Sequence, residues 1–142
     1  MKVSTILTAA FASAASAAQY GIYAVGSEAS VVLFPNDPTV KVHQWAGESK
    51  WRGDLGNPST TFQSIPSDNY ISCVGNVCEA TKLPTSFIVE LHGEPNPEFD
   101  TWAHNYTIRE EGTNLVWTIV GDHLECSEPV VSDNQLFRFS ES

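Results

Sequence analysis

Residues 70–80 read YISCVGNVCEA, and residues 116–126 read VWTIVGDHLEC. Set side by side without a gap, each has a β-rich run, then Val-Gly, then Asn or Asp, one further residue, Cys or Leu, Glu and a closing Ala80 or Cys126. Gly75-Asn76 and Gly121-Asp122 supply the positive φ that a two-residue primed hairpin turn demands. The register that follows sets Val74 opposite Val77 and Cys73 opposite Cys78, with Ile119 opposite Leu124 in the second copy. The cysteines therefore occupy a position that the other copy fills with apolar side chains, which predicts that they face inward.

Working outward, strand-like alternation precedes and follows each hairpin: residues 60–65 and 86–91 around the first, 105–109 and 135–139 around the second. Residues 20–25, 30–34, 39–45 and 50–55 read the same way, with Pro35-Asn36-Asp37-Pro38 standing where the glycine turns stand later. The result is three units of four strands. Aromatic anchors keep step with them: Tyr23, Phe62 and Tyr106 on the first strands, Trp51, Phe87 and Phe137 on the fourth. No stretch has helical periodicity of useful length, and Gly and Pro punctuate the chain every few residues. Short strands at this spacing predict an all-β domain, closed or sandwiched. The threefold repetition resembles a β-trefoil, in which first and fourth strands form a six-hairpin barrel and the middle hairpins cap it. An Ig-like β-sandwich is the alternative fold.

Residues 1–18 carry one charge, Lys2, then an Ala-rich apolar run ending in small residues, the pattern of a cleaved signal peptide. That leaves residues 19–142 as a single secreted domain, expected to be monomeric. No later segment has the apolar length of a membrane span. Seven Lys and Arg stand against 17 Asp and Glu, a formal net charge of −10, which becomes −11 if Lys2 leaves with the leader. Such a surface repels phosphate backbones and anionic membranes, so neither nucleic acid nor membrane is an expected partner. Three cysteines cannot all pair within one chain. Export favours oxidation, and directly opposed strand positions satisfy disulfide geometry, so the expected bridge is Cys73 to Cys78 with Cys126 free. The other reading makes all three small buried hydrophobes. No second CxxC-like pair and no His at ligand spacing accompany them, so no metal is expected.

The chain has no G-x-S-x-G, HExxH or P-loop, and the H-x-E at His92 to Glu94 lacks the P-C-x-x-C of a deaminase. No enzyme and no cofactor are expected. Among trefoils, ricin-type sugar-binding domains carry Q-x-W in each repeat; here Gln135-Leu136-Phe137 approaches it, with Thr85-Ser86-Phe87 and Ser49-Lys50-Trp51 at the matching places. The opening Gly21-Ile22-Tyr23-Ala24-Val25 and the closing Asn105-Tyr106-Thr107-Ile108 to Phe137-Arg138-Phe139 are similar to the small trefoil protease inhibitors of fungi.

That resemblance implies rigid inter-strand loops presented to a protease cleft, here 25–29, 34–39, 45–50 and 66–69. The candidate binding residues on them are Gly26, Ser27, Asn36, Asp37, Gly47, Glu48, Asp68 and Asn69, with Pro35, Pro38 and Pro66 as stiffeners. The expected function is protease inhibition outside the cell. A carbohydrate-binding trefoil lectin is the alternative, and a secreted fungal effector acting on a host protein is third. The expected partner is thus an extracellular protease or a glycan. Trp45 and Trp102 can stack on a sugar or anchor a protein partner, or pack in their loops; Trp51 and Trp117 fall at strand positions that suit the interior. Asn105-Tyr106-Thr107 is an N-glycosylation sequon. Asn76-Val77-Cys78 is discounted because it lies in the tight turn.

Overall fold

β-Branched and aromatic runs cut by turn residues become strands wherever alternate side chains find a common interior. The computed structural model of the chain describes residues 18–44, 49–93, 104–130 and 132–141. Its strands are β1 (Ala18–Ala24), β2 (Ser30–Val32), β3 (Lys41–His43), β4 (Trp51–Gly53), β5 (Gln63–Ser64), β6 (Tyr70–Val74), β7 (Val77–Thr81), β8 (Phe87–His92), β9 (Asn105–Glu110), β10 (Val116–Val120), β11 (His123–Ser127) and β12 (Phe137–Glu141). The described helix is one 3₁₀ turn, Asp133–Gln135, whose Ser132 side chain accepts the Asn134 N–H at 3.1 Å.

Six strands close on themselves. β1 pairs with β4 (Tyr20 opposite Trp51) and with β12 (Ile22 opposite Phe139). β4 pairs with β5, a Thr60–Phe87 bridge carries the chain before β5 to β8, β8 pairs with β9, and β9 meets β12 at Tyr106 and Phe137. A ring of this kind leaves no open edge, and it rules out the two-sheet sandwich considered as the alternative.

The remaining strands are three hairpins, β2–β3, β6–β7 and β10–β11, whose second strands meet in a triangle. Lys41 faces His123, Val77 faces Glu125, and a Thr39–Glu79 bridge closes the third side. Backbone hydrogen bonds hold the triangle: Val40 N–H to Cys78 O at 3.0 Å, Leu124 N–H to Val40 O at 3.0 Å, and Cys126 N–H to Asn76 O at 2.7 Å. The two hairpin registers read from the sequence are those observed, with Cys73 opposite Cys78 and Ile119 opposite Leu124. Gly75 and Gly121 sit at φ 64° and 63°, as the turn requires.

One apolar cluster joins ring and triangle. Trp51, Phe87 and Phe137 are fully buried, as is Phe62, and Trp117 completes the aromatic centre. Trp51 Nε1 donates to Val31 O at 3.0 Å; the Trp117 indole N–H is buried without a hydrogen-bond partner among the described residues. The anchors expected on β1 and β9 differ from those found. Ile22 and Ile108 are the fully buried side chains, while Tyr23 and Tyr106 are half-buried. Tyr23 is one residue from Ile22 and so points to the other face, because strand periodicity is two. β4 approaches the centre so closely that a Cβ on Gly53 would stand 3.2 Å from the Phe62 ring.

The disulfide is also different from the one expected. Cys73 is joined to Cys126, across a Cα–Cα distance of 6.3 Å, and Cys78 is free and buried. The hairpin register is intact, so the change comes from the packing of one hairpin on the other. β11 lies against β7 and brings Cys126 within the Cα range that disulfides use. Closing a loop across 53 residues also constrains the unfolded chain by about 4 kcal/mol, against about 2 kcal/mol for the short Cys73–Cys78 loop.

Candidate functional site

The connections from β1 to β2, β5 to β6 and β9 to β10 share one construction. Ala24, Ser64 and Glu110 donate their N–H to the carbonyls of Ala29, Asn69 and Leu115 at 2.9, 2.7 and 2.9 Å. Inside each loop a hydroxyl accepts the N–H two residues on: Ser27 from Ala29 at 3.4 Å, Ser67 from Asn69 at 3.3 Å, Thr113 from Leu115 at 3.0 Å. These are side-chain-stabilised turns. The sequence signal for them is Gly26-Ser27-Glu28, Pro66-Ser67-Asp68 and Gly112-Thr113-Asn114, a hydroxyl followed by an acid or amide, which the hairpin alignment did not reveal.

The 66–69 loop stands beside the turn that joins β2 to β3. Between them opens a cleft of about 580 Å³ lined by Phe34, Asn36, Asp37, Ser49, Ser67 and Asn69, with Pro35, Pro38 and Pro66 on its walls. Three of the expected binding residues, Asn36, Asp37 and Asn69, thus come together. Asn36 is exposed at φ 64°, and Asp68, at φ 61°, is exposed next to the cleft. Left-handed backbone at non-glycine residues is uncommon and persists where surrounding bonds fix it. Here Asp37 N–H reaches Phe34 O at 3.3 Å and Asp37 Oδ1 accepts Thr39 N–H at 3.0 Å. Asp68 N–H reaches Ser64 O at 2.8 Å, and Gln63 Nε2 donates to Asp68 O at 3.0 Å. The Phe34 ring stands edge-on to His43, centroids 5.7 Å apart.

Gly26 and Ser27 belong elsewhere, to a groove of about 550 Å³ shared with His43, Gln44, Asp122 and Asn134. Gly47 and Glu48 lie outside the described residues, as do Trp45 and Trp102. Asn105 is half-buried at the start of β9, where its Oδ1 accepts from Arg138 Nε at 3.0 Å. Gln135, of the Q-x-W-like triplet, is a buried clamp: its Nε2 donates to Thr118 Oγ1 and to Glu128 O, both at 3.0 Å, and its Oε1 accepts Val130 N–H at 2.8 Å.

A further cleft, which the sequence reading did not anticipate, lies between β8, β9 and the 3₁₀ turn. It encloses about 530 Å³ and is lined by Glu90, His92, Thr107, Arg109, Val130 and Asp133, among others. Arg109 Nε donates to Glu90 Oε1 at 3.2 Å on its wall. Glu90, His92, Thr107 and Arg109 sit on the outward faces of β8 and β9, where alternation reads them as solvent-facing.

No protein-family model matches the chain, and no curated protein does. Solved structures do match it. A ricin B-like lectin from Macrolepiota procera, solved in complex with lactose, superposes with a TM-score of 0.69 at 13% identity, covering 87% of this chain and 95% of the lectin. A proteinase inhibitor from Coprinopsis cinerea gives 0.65 at 10% identity, over 89% of this chain and 98% of the inhibitor. The designed threefold-symmetric protein ThreeFoil gives 0.66 at 14% identity, over 87% and 99%. The chain is therefore an all-β protein of β-trefoil-like fold. Within that class its likeness extends to a fungal trefoil inhibitor and a fungal trefoil lectin, and at these identities the likeness is one of fold.

Proposed function

We propose that this is a secreted, monomeric, non-catalytic binding protein that inhibits an extracellular protease through the turn at residues 34–38 and the neighbouring loop at 66–69. The observation that carries this reading is that both segments are exposed at their tips yet fixed before any partner arrives. Asn36 is held left-handed between two prolines, and Asp68 is held by the backbone bond to Ser64. A loop already in its bound shape loses little conformational freedom on binding, which is what an inhibitor loop requires. Three four-stranded units, supported by the triangle of hairpins and the thrice-used loop construction, would be the rigid body behind it. Among the described residues no helix is long and apolar enough to cross a membrane. Residues 1–18 are read as the leader that exports the chain, and Asn105 as an N-glycan acceptor, which peptide-N-glycosidase treatment of the exported protein would reveal as a mass loss.

Carbohydrate binding is the second reading, favoured by the lining of the same cleft. An aromatic ring (Phe34), two amides, a carboxylate and serine hydroxyls are the groups that engage a sugar face and its hydroxyls.

A protease panel run beside a glycan array separates the two. Asn36→Gly removes the side chain without forbidding the backbone angle, and Asn69→Ala removes the facing amide. Each is expected to weaken inhibition by about 30-fold or more, the loss of an interface hot spot, with little change in thermal stability. Phe34→Ala should instead weaken glycan binding if the cleft holds sugar. The inhibitor reading is abandoned if folded, monomeric protein leaves trypsin-like, subtilisin-like, papain-like and legumain-like proteases uninhibited at about micromolar concentration.

A further inference from the structure

Cys78 is a thiol sealed in the core beside a disulfide. Its Sγ lies 3.6 Å from Cys126 Sγ, and the three sulfurs of Cys73, Cys78 and Cys126 all lie within 4.8 Å of one another. Cys78 and Cys126 are fully buried, whereas Cys73 is half-buried. The sulfur that a Cys78 attack reaches is therefore the inner one of the bridge, and the sulfur it releases is the outer one.

We propose that these three sulfurs form a thiol–disulfide relay that makes Cys73 a site of mixed-disulfide modification by small-molecule disulfides. In the first step the Cys78 thiolate attacks Cys126 Sγ. A Cys78–Cys126 bond forms, the Cys73–Cys126 bond breaks, and Cys73 leaves as a thiolate that takes up the proton Cys78 gave away. The number of disulfides is unchanged. In the second step Cys73 gives up that proton again and its thiolate attacks a small disulfide RS–SR, forming Cys73–S–SR and releasing RS⁻, which takes up the proton to become RSH. The small disulfide is the oxidant, and it traps the rearranged bridge.

The strand pairing brings the exchanging residues together, and because the three sulfurs form a bent cluster the Cys78 side chain rotates into line with the bridge before it attacks. β7 and β11 are already neighbours through Val77 and Glu125, so a Cys78–Cys126 bridge joins strands that touch in the starting state. Cys73 and Cys78 face each other directly across the β6–β7 hairpin, so the thiol passes between opposed positions. Burial pushes the Cys78 thiol up to about 12, with Glu110 and Glu125 adding to the effect. The attacking thiolate is thus scarce at neutral pH, and its fraction rises about tenfold per pH unit.

The test uses the folded full chain and bis(2-hydroxyethyl) disulfide, a neutral probe that the acidic surface does not repel. Samples at pH 7, 8 and 9 are quenched in acid and mapped by peptide mass spectrometry without reduction. The expected product carries the adduct on Cys73 together with a Cys78–Cys126 bridge, at a rate that rises about tenfold per pH unit. Cys78→Ala should take up no probe. An adduct on Cys78 with the Cys73–Cys126 bridge retained would show local opening and overturn the relay, as would an adduct on Cys126 or none at all. A second variant guards against misfolding of the first. Cys73→Ala should contain a Cys78–Cys126 bridge, and two free thiols in that variant under the same conditions would also overturn the proposal.

Discussion

Phe62→Ala is expected to lower the stability of the domain by about 3–5 kcal/mol, the range for removing a large aromatic side chain from a core that cannot collapse around the gap. Phe62 is fully buried, and its ring meets three others: Trp117 at 5.3 Å, Phe139 at 6.0 Å and Phe87 at 6.2 Å between centroids. These neighbours come from β10, β12 and β8, so one side chain ties the ring of strands to a hairpin of the triangle. β4 already sits against the same ring at Gly53, leaving no bulky side chain there to swing into the vacancy. Native domains have only about 5–15 kcal/mol in total, so the loss is a large share of stability. Urea unfolding measures it. A cost below about 1 kcal/mol would mean that the gap is filled by repacking, and the central place given to Phe62 would be wrong. Phe62→Leu, which keeps more of the volume, should cost clearly less.

Where the sequence was informative, a local rule fixed more than one thing at once. A two-residue glycine turn sets both the turn type and the pairing of every residue behind it, so Cys73 opposite Cys78 and Ile119 opposite Leu124 follow directly from Gly75 and Gly121. The Pro35–Pro38 turn marked where the β2–β3 hairpin reverses but set no register, since pairing begins outside it at Val32 and Lys41. Side-chain size was a poorer guide. Aromatic character points to Tyr23 as the anchor of β1, yet a step of one residue along a strand reverses the face, and the smaller Ile22 is the buried one. The repeated loops escaped notice because Ser27, Ser67 and Thr113 are alike in chemistry while their neighbours differ. Long-range facts were not legible at all. Which hairpin lies beside which decides the partner of Cys73, and no local pattern encodes that. The convergence of Asn36, Asp37 and Asn69 on one cleft is of the same kind: each was recognisable as a loop residue, but their meeting depends on the packing of one unit on the next. The cleft beside Arg109 and Glu90 has outward strand faces for one wall, which the alternation rule assigns to solvent, and the 3₁₀ turn for the other.

The largest covalent contribution should come from the Cys73–Cys126 bridge, and measuring it requires care because a single substitution lets another bridge form. In Cys73→Ala the remaining pair, Cys78 and Cys126, already lies with sulfurs 3.6 Å apart and closes a loop nearly as long. Chain-entropy stabilisation depends only weakly on loop length at that size, so this variant should stay within about 1 kcal/mol of the parent. The clean comparison is Cys78→Ala, which keeps the native bridge, against Cys73→Ala with Cys78→Ala, which leaves Cys126 with no cysteine to pair with. The 53-residue separation predicts a difference of about 4 kcal/mol, or about 12 °C or more in Tm. Had the native bridge been Cys73–Cys78, neither variant would carry it, because Cys78 is absent from both, and the difference between them should be close to zero. The two pairings can therefore be told apart by unfolding measurements alone, without mapping a single peptide. A difference near zero would argue against the inter-hairpin bridge, and one near the larger value means that the Cys73–Cys126 cross-link stabilises the pairing of hairpins β6–β7 and β10–β11 well beyond the single hydrogen bond from Cys126 to Asn76, for which about 1 kcal/mol is usual.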